Sequence, residues 1–185
     1  MSAKSPENLL LYLYLSEEQE RAIAELFDDL VRRGLPRQNQ RPHITITFAQ
    51  SMAPEAVELA AELLPPLLPA TFQRVGTVVF GTRSKQSIAW LLETTDEFEA
   101  AAREISAANP ESRGARWTPH ITMGLRIPRD EVGRYIDVLD AATNEATRTA
   151  ARSGGHLLKE FTAAQAAYWR PATEELRVLW GDRVA

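Results

Sequence analysis

No cysteine occurs among the 185 residues, which removes disulfides, thiolate nucleophiles and Cys-based metal sites together. No apolar run approaches the ~20 residues that span a bilayer. The longest, near Leu9 to Leu15, is broken by Asn8 and Ser16 and reads as a strand. The opening stretch MSAKSPEN has no apolar h-region, which argues against a secretory signal. Low-complexity segments are absent too, so no linker divides the chain, and residues 1–185 read as a single domain. Histidine is scarce, at three. These absences permit a cytoplasmic home. A composition of 44% hydrophobic and 25% charged residues fits a soluble globular protein.

Acidic residues are missing from three particular stretches. The formal net charge is −4, which alone weighs mildly against a nucleic-acid partner. Yet Leu30 to Pro54 holds Arg32, Arg33, Arg37 and Arg41 and no acid, and Ser112 to Arg129 holds Arg113, Arg116, Arg126 and Arg129 and no acid. Thr71 to Leu92 likewise carries only Arg74, Arg83 and Lys85. Either helices elsewhere simply carry the acids on their solvent faces, or these windows form a positive cleft for an anionic ligand.

Hydrophobic periodicity gives an order of elements. After the strand at Leu9–Leu15, Ser16-Glu17-Glu18-Gln19 is a capping-box signature opening a helix with Ile23, Leu26, Phe27, Leu30 and Val31 on one face, ended by Gly34 and Pro36. His43–Ala49 alternates as a strand. Pro54 opens a helix that Pro65-Pro66 closes. TVVFG and SIAWLLETT form a hairpin, and Asp96 caps a helix to about Ala108. PHITMGLRI is a strand, Pro128–Ala142 a helix followed by a polar, Ala-rich helical stretch, and QAAYWRP with LRVLWG a second hairpin in which Trp169 and Trp180 read as core. Motif strand, helix and hairpin therefore occur twice, as in a diverged internal duplication.

The two motif strands repeat Pro-His-Ile-Thr, at Pro42–Thr45 and Pro119–Thr122. Side chains alternate across a strand. One face of the first strand carries His43, Thr45 and Thr47; one face of the second carries His120, Thr122, Gly124 and Arg126. The opposite faces are apolar. Pro42 and Pro119, lacking N–H donors, suit a first strand position, and Gly124 would admit a ligand or second chain close to the backbone. Two imidazoles on one groove can divide acid and base roles near neutral pH, and Thr hydroxyls can donate to phosphate oxygens. Packing alone would be an odd use for a repeated polar face. A zinc site would need a third ligand, and His156 is the sole remaining histidine.

At these residues the chain resembles the 2H phosphoesterase superfamily, named for two His-x-Thr/Ser-x motifs. They stand here as His43-Ile44-Thr45-Ile46 and His120-Ile121-Thr122-Met123. Their separation, the preceding prolines and the order of elements match as well, so the resemblance covers nearly the whole chain. Within the superfamily the chain is most similar to the bacterial 2′-5′ RNA ligase group, whose members are generally RNA 2′,3′-cyclic phosphodiesterases. The resemblance implies an α+β, bilobal, pseudo-twofold fold, with two antiparallel sheets lining a central cleft and helices outside. It implies opening of a 2′,3′-cyclic phosphate to a 2′-phosphate with no metal and no cofactor. The expected partners are RNA ends or small cyclic nucleotides, with no membrane, and the chain is expected to be a monomer. One histidine would activate water and the other protonate the leaving 3′-oxygen. His120 is assigned as base and His43 as acid, roles that two near-identical motifs leave interchangeable. Thr45 and Thr122 would bind phosphate oxygens. The group often carries an arginine just after the second motif; here Met123-Gly124-Leu125 intervenes before Arg126. Aromatic candidates for stacking a base are Tyr12, Tyr14 and Trp117. Arg126 and Tyr12 are taken as substrate-binding.

Three other functions fit the same residues. One is hydrolysis of another small cyclic phosphate, such as ADP-ribose 1″,2″-cyclic phosphate. The others are a module that binds phosphate without turnover, against which two intact histidines argue, and a scaffold with vestigial motifs. The segment Arg148 to His156 reads as a flap near the cleft or as a helix end.

Overall fold

The computed structural model describes residues 9–152, 158–170 and 173–181, with side chains from residue 13 onward. Seven strands and four α-helices occur among them: β1 (Leu9–Leu15), α1 (Glu17–Arg32), β2 (His43–Ala49), α2 (Pro54–Leu63), β3 (Ala70–Phe80), β4 (Lys85–Glu93), α3 (Asp96–Ala107), β5 (His120–Pro128), α4 (Val132–Arg152), β6 (Glu160–Arg170) and β7 (Glu175–Trp180). None of these helices is long and apolar enough to cross a membrane.

The amphipathic face read from the sequence is the one α1 buries, through Ile23, Leu26, Phe27 and Leu30. Its start is only half a capping box. Ser16 Oγ accepts from the Gln19 backbone N–H at 3.4 Å. The Gln19 side chain turns away, donating to the Glu160 carbonyl at 2.7 Å while its Oε1 accepts from the Thr162 N–H at 2.8 Å. A residue expected to close a local cap instead pins α1 to β6. Gly34, at φ 87°, ends the helix in the left-handed region, and Leu35 N–H reaches back to the Leu30 carbonyl at 3.0 Å. At α3 the cap is Thr95, one residue before the expected Asp96. The helix expected to Ala142 and the Ala-rich helical stretch expected after it form one continuous helix, to Arg152.

The sheet differs from expectation. All seven strands join one antiparallel sheet in the order β1-β2-β5-β4-β3-β6-β7, and β1 also pairs with β6, closing six of the strands into a barrel. Two separate sheets are not what the ladder shows. The seam between the halves is nevertheless thin on one side, where the β2–β5 ladder has the single partner pair Ile44 and Ile121. On the other side β6 bends from β1 onto β3 through Ala70–Gln73.

The barrel encloses a core that includes Leu13, Ile44, Phe72, Trp90, Ile121 and Phe161, all without exposed surface. Burying each such side chain is worth roughly 1.5–3 kcal/mol. Trp90 is the deep tryptophan, stacked on Phe161 at 5.6 Å; Trp169 and Trp180 are only half-buried. The alternation 'apolar in, polar out' holds over His43–Ile46 and His120–Met123 and turns the two His–Thr faces outward together; beyond Ile46 it inverts, so Thr47 is buried and Phe48 exposed, against the faces expected from strict alternation.

Candidate active site

Antiparallel pairing centred on Ile44 and Ile121 fixes what surrounds it. The flanking residues fall opposite each other: His43 beside Thr122, and Thr45 beside His120. Both isoleucines point into the core, so the four polar side chains share the other face of two touching strands.

Each histidine is held in the same way. His43 Nδ1 lies 2.7 Å from the Arg41 carbonyl, and His120 Nδ1 lies 2.7 Å from the Thr118 carbonyl. A carbonyl can only accept, so Nδ1 carries the proton in both rings and proton exchange falls to Nε2. The motif threonines are tied across the seam as well. Trp117 Nε1–H donates to the Thr45 carbonyl at 2.9 Å, and Gln40 Nε2–H donates to the Thr122 carbonyl at 3.3 Å. Adding 77 to Gln40, Arg41, His43 and Thr45 gives Trp117, Thr118, His120 and Thr122. The duplication thus extends to the hydrogen bonds that hold the motifs together.

Burial pushes both imidazoles below the ordinary histidine range. The hydrogen bonds to Arg41 and Thr118 oppose this, and at His43 the charges of His120 and Arg41 push further down. A positive charge on His120 is thus felt at His43, as two groups facing one ligand would require.

The surroundings are not symmetric. A cavity of about 250 Å³ opens beside Thr45 and His120, walled by Phe48, Phe80, Trp117 and the loop after α3 with Arg113 and Arg116. The Phe80 ring, from the end of β3, leans on the His120 imidazole with centroids 4.6 Å apart. The loop is fixed to β2: Asn109 Nδ2 donates to Thr47 Oγ1 at 2.8 Å and to the Phe48 carbonyl at 2.9 Å, and Glu111 accepts from the Gln50 and Ser51 N–H groups. Among the described residues no three His, Asp or Glu side chains cluster closely enough to hold a metal ion.

The structure brings His43, Thr45, His120 and Thr122 to one place and sorts the other expected residues. Two bulges in β5, opposite Gln86–Ile88 and Ile88–Ala89, break its alternation after Thr122. Arg126 sits in the irregularity opposite Gln86–Ile88 at φ 58°, exposed, and is not part of the cavity wall, so the face assigned to it by alternation does not hold. Gly124 does not open the backbone to a ligand: a Cβ there would meet the Tyr135 ring at 2.8 Å, and Tyr135 O–H is bonded to the Met123 carbonyl at 2.6 Å. Tyr14 is buried beneath the Arg41 guanidinium, 3.6 Å from its ring centroid. The side chain of Tyr12, and His156 with the end of the Arg148–His156 segment, lie outside the described residues. The first cationic window is neutralised, since Arg32 and Arg33 pair with Asp29, Arg37 with Asp28 and Arg41 with Glu20. Phe80, Gln40 and Asn109 were missed. Only Gln40 carried a signal, its position three residues before the histidine, matching Trp117.

No protein-family model matches the chain, and no curated protein matches it. Among solved structures it is similar to Kluyveromyces marxianus Usb1 with uridine monophosphate, at 13% identity over 93% of this chain and 96% of that one, with a TM-score of 0.45.

Proposed function

We propose that the chain is a phosphodiesterase of the 2H type that hydrolyses a 2′,3′-cyclic phosphate, on an RNA end or a nucleotide, to a 2′-phosphate without a metal. The observation that supports this best is the cross-strand arrangement of His43, Thr122, Thr45 and His120 about the Ile44–Ile121 pair, with both rings anchored through Nδ1. In the hydrolytic direction His120 Nε2 takes a proton from water as its oxygen bonds to phosphorus. The phosphorus–3′-oxygen bond breaks, and His43 Nε2–H protonates the leaving oxygen. Thr45 and Thr122 hydroxyls donate to the non-bridging oxygens as charge builds there. With a 5′-hydroxyl in place of water, the same step forms a 2′-5′ link: the 5′-oxygen bonds to phosphorus, the phosphorus–3′-oxygen bond breaks and the 3′-oxygen is protonated, and by microscopic reversibility the site also cleaves that link back to the cyclic phosphate. On this reading the two halves of the barrel act as two lobes, each contributing one motif to a shared groove.

The test is turnover of nucleoside 2′,3′-cyclic phosphates in excess EDTA, with the product identified by phosphorus NMR. Wild type should yield the 2′-phosphate, and His43→Ala and His120→Ala should each lose roughly 10²–10⁴-fold in kcat while remaining folded. Activity that vanishes in EDTA, or survives in either variant, would end the metal-free two-histidine mechanism.

A further inference from the structure

The cavity beside His120 has two kinds of wall. One is the reaction face, Thr45 and His120, one residue from each motif. The other is the loop bearing Arg113 and Arg116. The arginines of the Leu30–Pro54 window all have carboxylate partners, whereas Arg113 and Arg116 have none within 4 Å among the described residues. Glu111 also borders the cavity, but its carboxylate is engaged by the Gln50 and Ser51 N–H groups at 2.7 and 3.0 Å. In a chain of net charge −4, two uncompensated guanidinium groups beside the reaction face are placed for an anion from outside.

The loop that carries them is rigidly built. Ser106 O–H donates to the Gly114 carbonyl at 2.9 Å, Ser112 O–H donates to the Ser106 carbonyl at 2.5 Å, and Gly114 N–H returns to Ser112 Oγ at 3.0 Å. Gly114, at φ 78°, takes the left-handed turn between the two arginines. Asn109 ties the same loop to Thr47, two residues beyond Thr45 on β2. The backbone that carries the two arginines is therefore tied to the motif strand, and arginine suits phosphate oxygens through paired N–H donors. At about 250 Å³ the cavity is below the roughly 300–1,000 Å³ of ordinary ligand pockets, so it fits a sugar–phosphate fragment.

A ribose whose 2′ and 3′ oxygens are closed in a cyclic phosphate has only its 5′ oxygen left to carry another. We propose that Arg113 and Arg116 form a subsite for that second, 5′-side phosphate, so that the chain selects substrates carrying two phosphates on one ribose. This rests on the phosphodiesterase reading above. The second phosphate is either the terminal 5′-phosphate of a mononucleotide or the diester linking the last two nucleotides of an RNA strand.

The experiment compares three substrates of one base in wild type and in the R113Q/R116Q variant. They are the nucleoside 2′,3′-cyclic phosphate, its 5′-phosphorylated form, and a dinucleotide ending in a 2′,3′-cyclic phosphate. In wild type at least one of the latter two should have a KM about 10-fold or more below the first, and in the variant the KM values should converge. A gain confined to the dinucleotide identifies the diester as the source; a gain with the 5′-phosphorylated nucleotide identifies the free phosphate. Equal KM values in wild type, or a preference that survives in a variant with an unchanged circular dichroism spectrum, overturn the subsite and leave the phosphodiesterase standing. If wild type turns over none of the three, the phosphodiesterase reading fails, and calorimetric binding decides the subsite. Tighter binding of the 5′-phosphorylated nucleotide than of the nucleoside form, lost in R113Q/R116Q, keeps it; equal binding ends it.

Discussion

Around His43 the approach segment is shut: Arg41 is held by Glu20 and covers Tyr14, and Gln40 is spent on the Thr122 carbonyl. Around His120 the corresponding segment borders an open cavity, with Phe80 against the ring and, on the facing loop, two arginines without carboxylate partners among the described residues. The histidines and threonines themselves are related by one shift of 77 residues, down to the carbonyl each ring binds. On the proposed function, the repeat keeps the proton-moving part alike in both halves and lets the ligand-holding part diverge. A proton-transfer pair can be symmetric, because attack and departure are mirror images at phosphorus. The two sides of an asymmetric substrate cannot be.

The sharpest break of that comparison is at the threonines. Thr45→Val and Thr122→Val should each lower kcat by roughly 10²–10³-fold, the usual loss for one donor to a developing oxyanion. Only Thr45→Val should also raise KM, since Thr45 borders the cavity and Thr122 does not. Steady-state kinetics on the preferred substrate decide it, and matching KM effects would mean that both halves hold the substrate alike.

Four residues past each histidine the halves differ in packing rather than chemistry. Thr47 is buried and held by Asn109, whereas Gly124 lies under the Tyr135 ring. Gly124→Ala forces that ring aside although its hydroxyl is anchored to Met123, and should cost about 1–3 kcal/mol. Urea unfolding would read this as a lower midpoint at constant slope. An unchanged midpoint would show that the ring gives way freely.

Much of this was legible beforehand because it is local. The helical stripe of α1, the strand alternation at His43–Ile46 and the paired motifs all follow from side-chain periodicity, and the four motif residues converge because the first strand obeys it to Ile46 and the second past Thr122 to Met123. Arg126 fails where a bulge adds residues to β5, which no alternation rule anticipates. Barrel closure depends on β6 bending from β1 to β3, a long-range pairing without a local signature. The first cationic window misled for a similar reason. Acids on α1, remote in sequence from Arg41, fold back onto it, so a stretch without acids is not a surface without them.

The cross-seam clamps give a smaller contrast. Trp117 is half-buried, packing edge-on against Phe72 at 6.2 Å while its Nε1–H holds Thr45. Trp117→Phe should cost about 1–2 kcal/mol in hydrogen bond and contact area together. Gln40→Ala, at the longer clamp of 3.3 Å and with less contact area to lose, should cost less than about 1 kcal/mol. Denaturation midpoints rank the two, and a larger loss at Gln40 would place the tighter half of the seam on the His43 side.

The smallest effect is a shift in pH dependence, and it separates the two histidines. Cleavage needs one ring neutral and the other protonated, so kcat/KM should be bell-shaped. Burial lowers both rings from the ordinary 6.5, which sets both limbs of the bell below that pH and makes the free enzyme most active on the acid side. Phe80 leans on the His120 ring, which lines the cavity with it. Phe80→Ala admits water to that ring, favours its charged form and should move one limb upward toward 6.5 by a fraction of a unit, leaving the other in place. If the acid limb moves, His120 is the base, because that limb marks its protonation. If the alkaline limb moves, His120 is the acid and the roles are exchanged. Movement of both limbs together would show that the pair titrates as a unit, and that its apparent values belong to neither ring alone.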